Sequence, residues 1–517
     1  MKKALPAICW FRDDLRIDDN PALLDAYQIA HGRVVPVYII DPRRFQQNLL
    51  KWPRFGPYRS RFLLQSLVAL RQKLRGIGSD LIIRTGHPEE VLPELAEEIE
   101  AGTVCCNEGS DPEAFSITRE LAAQLHYDKR LLRCSWGRTL YPLNALPFEG
   151  KPPLSFTEYR RAVERAMPPP MAEEGIKKLL PLPLGLNPGA MPTLDQFGFP
   201  EAPLDPRSIY PFKGGEEQAL LRLKSYVWDR GLGAHHQQGK QLLAGEAYSS
   251  KLSPWLAVGA LSPRRLWTEL IVYEEQKRRQ PGLSLYSLRC QLLRRDYMAA
   301  LAFHVPEEMS QLAGYQGIPP SPPYERDLAR FERWWRGYTG VPLVDAFMRE
   351  LAATGYISPV GREVVARYLC ESLRLDWRWG ASCFETFLID YEPATTWGSW
   401  QSIAGVGSRW AAKRQSLLAI GRRVDPDGHY IRYWVPELGY LPSEQIHTPH
   451  LMEQEAAAAV GLVIDQSYPA PLVECEPPPT PKSRETLRER TRRKPVSEEE
   501  DEKEPRRDRA HRPRIHR

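Results

Sequence analysis

The first 140 residues switch repeatedly between two hydrophobic patterns, and this switching constrains the fold more than any other feature. Short apolar runs stand at Ile8–Phe11, Val34–Ile40, Leu81–Ile83, Val104–Cys106 and Leu131–Cys134, with amphipathic stretches at Arg59–Leu74, Pro88–Glu100 and Pro112–Leu125. Apolar runs separated by helical segments predict βαβ units and a parallel sheet. Pro36 lies inside the second run. A proline cannot donate to a ladder, so either that strand begins after it or the proline occupies an edge position. Residues 141–215 are rich in proline, as in Met167-Pro168-Pro169-Pro170 and Leu180-Pro181-Leu182-Pro183, which predicts a linker crossing the surface with one short helix near Phe156–Ala166. Strand-like runs nearly vanish from Glu216 to about residue 440. There Ser253-Pro254 and Ser262-Pro263 each read as an N-cap followed by proline at the first helical position. The expected architecture is α/β plus all-α: a Rossmann-like parallel-sheet domain over 1–140, a linker over 141–215, a helical domain over 216–475, and a charged tail over 476–517.

The net charge of +5 is misleading unless it is located. Glu476 to Arg517 carries +4 of it, from 14 Lys/Arg against 10 Asp/Glu, so the body of the chain is nearly neutral and any nucleic-acid surface must be a local patch. The Pro-rich, charged tail cannot bury a core and is expected to be disordered, with basic blocks suited to an unknown protein partner or to nucleic acid. No apolar run approaches the ~20 residues of a membrane span. The opening segment mimics a weak signal peptide but runs straight into Arg12-Asp13-Asp14, so a first strand is the better assignment. The eight cysteines show neither CxxC nor zinc spacing, and predict reduced thiols in a cytoplasmic protein; a monomer is expected.

Chemistry enters with longer motifs. Trp10-Phe11-Arg12-Asp13-Asp14-Leu15-Arg16-Ile17-Asp18-Asp19-Asn20-Pro21-Ala22-Leu23 reads as a charged loop leading into a helix, with Asn20 as N-cap. This segment resembles the opening signature of the cryptochrome/photolyase family. The resemblance extends over roughly residues 1–450 through Tyr248–Gly259, Thr339–Ala346, Leu375-Asp376-Trp377-Arg378, Trp397-Gly398-Ser399-Trp400 and Ala404-Gly405-Val406-Gly407. Tyr-Ser-Ser-Lys, Ala-Gly-Val-Gly and Asp425-Pro426-Asp427-Gly428 look most like the DASH branch. The resemblance implies an N-terminal antenna domain and a C-terminal helical domain holding FAD in a bent form.

On that resemblance, Ser249, Ser250, Lys251, Leu252 and Ser253 are similar to the flavin-phosphate segment. Their hydroxyls, the Lys251 charge and a helix start suit an anion on physical grounds. Arg362 and Asp390 match the positions flanking the reactive edge of the isoalloxazine, and Arg295 matches a further flavin contact. His236 stands where the family often has Tyr. Trp400 and Trp377 match two members of a tryptophan chain that reduces photoexcited flavin. Tyr324 takes the outer place, with Trp334, Trp335 and Trp379 as substitutes.

The departures concern the lesion pocket, where repairing members flip a damaged base. Gln291 replaces the acid that protonates the lesion, and Arg294 replaces the ring that stacks on it. An amide donates a hydrogen bond but is no general acid, and an arginine brings charge to an apolar site. Pro359-Val360 replaces Asn-Arg, Thr396 an Asn, Glu392 an Asp, and Ser402 an aromatic ring. Glu108 is the candidate carboxylate for a folate (methenyltetrahydrofolate) antenna. The expected function is a DASH-like, FAD-dependent blue-light photoreceptor that photoreduces flavin through tryptophan. Its dimer repair is weak or lost, and its output is signalling, redox chemistry or binding of single-stranded DNA or RNA. The rivals are a deoxyribodipyrimidine photolyase acting on single-stranded or looped DNA, and a protein in which the flavin is only structural.

Overall fold

The computed structural model describes residues 5–473 except 170, 202–203, 236–242, 244, 246–247, 278–284 and 409–415. His236 and the tail from residue 476 therefore lie outside the described residues. Five parallel strands, β1 (Ala7–Phe11), β2 (Val34–Ile40), β3 (Ile82–Thr85), β4 (Thr103–Asn107) and β5 (Leu131–Ser135), form one sheet in the order β3-β2-β1-β4-β5. The chain reverses its direction of winding between β1 and β4, which leaves a crevice at the carboxyl ends of those strands.

Alternation explains why the strands read as unbroken apolar runs. Ile8, Trp10, Val35, Val37, Val104 and Cys106 face one helical layer, while Ala7, Cys9, Phe11, Tyr38 and Cys105 face the other. Helices α1 (Pro21–Ile29), α2 (Pro57–Gly76), α3 (Pro88–Glu98) and α4 (Pro112–Tyr127) supply the layers. Pro36 sits within β2, so that strand does not begin after it. It is aligned with Cys9 of β1, and pairing with β3 begins only at Val37. The proline thus lies where β2 has a single neighbour and its missing N–H leaves no gap.

The Pro-rich stretch after β5 contains the helix Phe156–Ala166 and otherwise short turns. It also has a structural use that its composition does not announce. Ile83 of β3 donates its N–H to the Pro188 carbonyl at 2.8 Å, so the stretch closes the outer edge of the sheet. From Glu216 onward the described regular structure is helical. Ser262 caps the helix Pro263–Gln276 as expected, accepting from the N–H groups of Arg264 and Arg265. Ser253 does not cap. The five-residue helix Ser253–Ala257 begins at Ser253 itself, with Leu252 in the N-cap position, and the Ser253 hydroxyl turns to Asp390 instead.

The charged loop after β1 locks the sheet to the helices. Arg16, 1% exposed, donates to the carbonyls of Asp18, Asp19, Gly137 and Gly259 at 2.7–3.0 Å. Gly259 itself has φ +65, and a Cβ there would stand 2.0 Å from the Asp13 carbonyl oxygen. We expect Gly259→Ala to destabilise the chain by about 3 kcal/mol, since it adds both backbone strain and a collision with backbone. Urea unfolding checks this; an unchanged midpoint would show that the loop and the helix are not held in register by this contact.

Candidate functional site

The site is assembled from four helices. The helix Tyr286–His304 carries Gln291, Arg294, Arg295 and Asp296. The helix Pro359–Arg367 carries Arg362, Trp377–Phe387 opens on Trp377, and Pro393–Ala404 carries Thr396 and Trp400. Close approach is built in. A Cβ on Gly398 would meet the Met298 sulfur at 2.6 Å, and one on Gly380 would meet the Trp400 ring at 2.2 Å.

Asp390 anchors the first cluster. It accepts from the Arg362 guanidinium at 2.8 and 2.9 Å and from the Ser253 hydroxyl at 2.5 Å. Burial would lower the Arg362 guanidinium, and Asp390 with Tyr356 outweighs it to raise it. Next to this pair the Ser249 hydroxyl lies 3.4 Å from the Tyr356 hydroxyl, while Arg222 donates to the carbonyls of Ser249 and Ser250. Lys251 is 1% exposed with φ +56, donates to the Gly245 carbonyl, and lies 3.6 Å over the Tyr248 ring. The Leu252 N–H reaches the Ser250 hydroxyl at 3.5 Å. The Tyr248 hydroxyl is fully buried and lacks a hydrogen-bond partner among the described residues. A buried cation, three serine hydroxyls and an orphaned phenol in one short stretch suit a polyanionic ligand with further acceptor groups, as a dinucleotide phosphate and sugar would provide.

The second cluster runs back toward the sheet. Arg295 grips Glu392 with two bonds, at 2.5 and 3.0 Å, and also donates to the carbonyls of Arg138 and Leu256. Glu392 precedes the helix Pro393–Ala404, yet its side chain does not cap it. It lies 3.5 Å from Arg138, which lies 3.4 Å from Asp13, which binds Arg44 at 2.8 Å. Burial alone would raise the Asp13 carboxyl, but Arg44, Arg138 and Arg12 take it down to about 2. This chain of ion pairs ends in a cavity of about 120 Å³ at the carboxyl ends of β1 and β2, walled by Arg12, Arg44, Arg54, Arg59 and Arg138 among others. Glu108 is not in that wall. It accepts from the Gly109 N–H and the Thr118 hydroxyl.

The aromatic groups form a third cluster. Trp400 is 2% exposed, and its ring meets Trp334 at 6.2 Å and Phe384 at 5.1 Å. Trp377 is buried one helical turn before Gly380, on which Trp400 rests, and donates to the Leu312 carbonyl. Tyr324 is half-buried, and burial raises its phenol, which opposes loss of its proton. Trp334 leads through Phe331 to Trp379 and to Trp52, and Trp52 meets Trp335 at 5.1 Å. Gln291 is exposed and Arg294 half-buried, and burial lowers the Arg294 guanidinium to about 10. Thr396 is buried in the first turn of its helix.

A family model described as DNA photolyase matches residues 7–176, and one described as the FAD binding domain of DNA photolyase matches residues 288–485. Cryptochrome DASH of Gloeobacter violaceus is 40% identical over 472 residues, covering 90% of this chain and 93% of that protein. The chain belongs to the cryptochrome/photolyase family, on its DASH branch. Cryptochrome DASH of Danio rerio is 36% identical over 481 residues, covering 92% and 91%. A crystal structure of a Synechocystis cryptochrome has a TM-score of 0.86 at 35% identity, covering 94% of this chain and 99% of that one. A bacterial class III photolyase from Agrobacterium tumefaciens follows at 0.78 and 28%, covering 95% and 98%. Within this family the helical half is the FAD-binding half.

Several site residues had no sequence signal beyond the family motifs. Arg138, Tyr356 and Tyr248 act through contacts with residues distant in the chain or through burial, which a local pattern does not carry. Asp296 is another. It is fully buried, one oxygen accepts from the N–H groups of Leu140 and Tyr141, and the other lacks a hydrogen-bond partner among the described residues. Burial, partly offset by Arg295, pushes this carboxyl up to about 7. A carboxyl raised on folding makes its full contribution below its unfolded pKa, and that contribution is lost as pH climbs through the folded value. Stability should therefore fall by roughly 4 kcal/mol at most between about pH 4 and pH 7 through this group. Asp296→Asn should flatten that part of the profile; equal slopes in denaturant titrations of both proteins would exclude the assignment.

Proposed function

We propose that this chain is a blue-light flavoprotein of the DASH cryptochrome type, cytoplasmic, that photoreduces its FAD through Trp400 and Trp377 and has lost efficient dimer repair. The observation that carries the proposal is the Trp400 ring. It is sealed in the helical core on Gly380, on the helix that begins three residues after Asp390. When bound, FAD supplies the light-absorbing, electron-accepting ring. The protein's own parts divide the remaining work. Asp390 orients Arg362, one terminal nitrogen of which reaches both carboxylate oxygens, and Ser253 donates to one of those same oxygens and steadies the pair. Ser249, Ser250, Lys251 and Leu252 would hold the FAD phosphates, and Arg295, gripped by Glu392, would be a further contact. Trp400 and Trp377 pass an electron inward, and an outer aromatic group, Tyr324 or a tryptophan near Trp334, faces reductant.

The loss of repair rests on Gln291 and Arg294. They occupy one face of one helix, three positions apart, where a proton donor and an apolar stacking ring would be needed. A mouth of this kind suits contact with single-stranded DNA or RNA without chemistry on a lesion, since guanidinium and amide groups bind phosphate and base edges. A folate antenna at Glu108 remains part of the proposal, supported by the position of that carboxylate just past β4. The rival is photolyase activity on single-stranded DNA, which the family and the class III photolyase neighbour keep in view.

Purified protein is expected to show flavin absorbance. Trp400→Phe should slow photoreduction by about tenfold or more while leaving flavin content unchanged. Undiminished photoreduction would point to another donor. An illuminated oligonucleotide carrying a thymine dimer should stay unrepaired, and restoration at a rate comparable to a working photolyase would overturn the loss of repair.

A further inference from the structure

We propose that Cys106 and Cys134 are a reversible thiol–disulfide pair, a covalent modification site on the edge of the sheet. They oppose each other in register across β4 and β5, and their sulfurs are 3.7 Å apart. Neighbouring parallel backbones run about 4.8 Å apart, within the Cα separations a disulfide bridges. Accessibility distinguishes the two sulfurs: Cys106 is buried beside the α3 and α4 layer, whereas Cys134 is exposed. Cys9 and Cys105 are also opposed in register, across β1 and β4, but both are fully buried in the middle of the sheet and out of reach of an oxidant.

The chemistry balances with a low-molecular-weight disulfide as oxidant. The Cys134 thiolate attacks one sulfur of oxidised glutathione, forming a mixed disulfide and releasing one glutathione thiolate. Cys106 then gives up its proton, and its sulfur attacks that of Cys134, expelling the second glutathione. Two protein thiols become one disulfide, and glutathione disulfide takes up the two electrons as two glutathiones. Hydrogen bonding to Cys134 and burial both push the Cys106 thiol up, so the resolving step is the slower of the two.

The bond is expected to be easily reversed. Opposed parallel positions hold their Cβ atoms farther apart than the ~3.8 Å a relaxed disulfide prefers, so closure must draw the edge strand inward, and strained bridges are readily reduced. That movement would act at the carboxyl ends of both strands. Asn107, next to Cys106, donates to Asp14 and Asn20, and Ser135, next to Cys134, donates to Asp25. Oxidation would therefore act on the loop that follows β1.

The test is incubation of the full chain with oxidised glutathione, alkylation of the remaining thiols, and peptide mass spectrometry. The expected product is a linked Cys106–Cys134 peptide pair two hydrogens lighter, with two of the eight thiols lost and both regained in dithiothreitol. It should form at least about ten times faster than any bridge involving Cys9, Cys105, Cys370 or Cys383. Cys106→Ser should stop at glutathionylated Cys134, and Cys134→Ser should yield neither product. Circular dichroism of each variant checks that it folds. Glutathione that stays on Cys134 in the unsubstituted chain, or a bridge from Cys134 to Cys475 or to a second molecule, would overturn the proposal.

Discussion

The guanidinium of Arg16 donates to backbone carbonyls from three separate parts of the chain: its own loop, the turn after β5, and the end of the helix Ser253–Ala257. A buried cation is costly unless every N–H is directed at an acceptor, and here carbonyl dipoles and the nearby Asp14 and Asp19 supply that environment. The same loop sends Asp18 to Arg265 and Asp19 to Ser262 and Arg264. Sheet and helices are thus joined through polar groups whose geometry is directional, unlike the apolar layers around them. The Arg138 and Glu392 connection to Arg295 depends on that joint, because Arg138 lies one residue beyond Gly137.

Much of the fold was legible because its causes are local. Each βαβ unit announces itself by the change from short apolar runs to amphipathic stretches, and the observed strands differ from the expected ones by only a residue or two. Asn20 and Ser262 cap as their neighbouring prolines suggest. Ser253 has the same Ser-Pro signature but fails to cap, because Asp390, far along the chain, competes for its hydroxyl. The helix consequently begins a residue early. Pro36 illustrates a related point: whether a proline is tolerated in a strand depends on how far the next strand extends, which one strand's sequence cannot express.

The site was legible in a different way. Motif resemblance located Arg362, Asp390 and Trp400, and the structure brings Arg362 and Asp390 into direct contact. It could not place Arg138 or Asp296, which act through charge pairs and backbone donors on distant segments. Nor could it foretell that Glu392, one methylene longer than the family's Asp, would lie near Arg138 while holding Arg295 with both oxygens. The aromatic cluster is similar. The family resemblance singled out Trp400 and Trp377, whereas the contact of Trp52 with Trp335 joins a loop of the α/β half to a helix more than two hundred residues later.

The bond from Ile83 to Pro188 carries a practical consequence for anyone dividing the molecule. A fragment ending near residue 140 would keep all five strands but lose the strip of chain that shields β3. Its bare amide row would invite sister fragments to pair strand against strand, so a faithful excision of the α/β half has to run past residue 189.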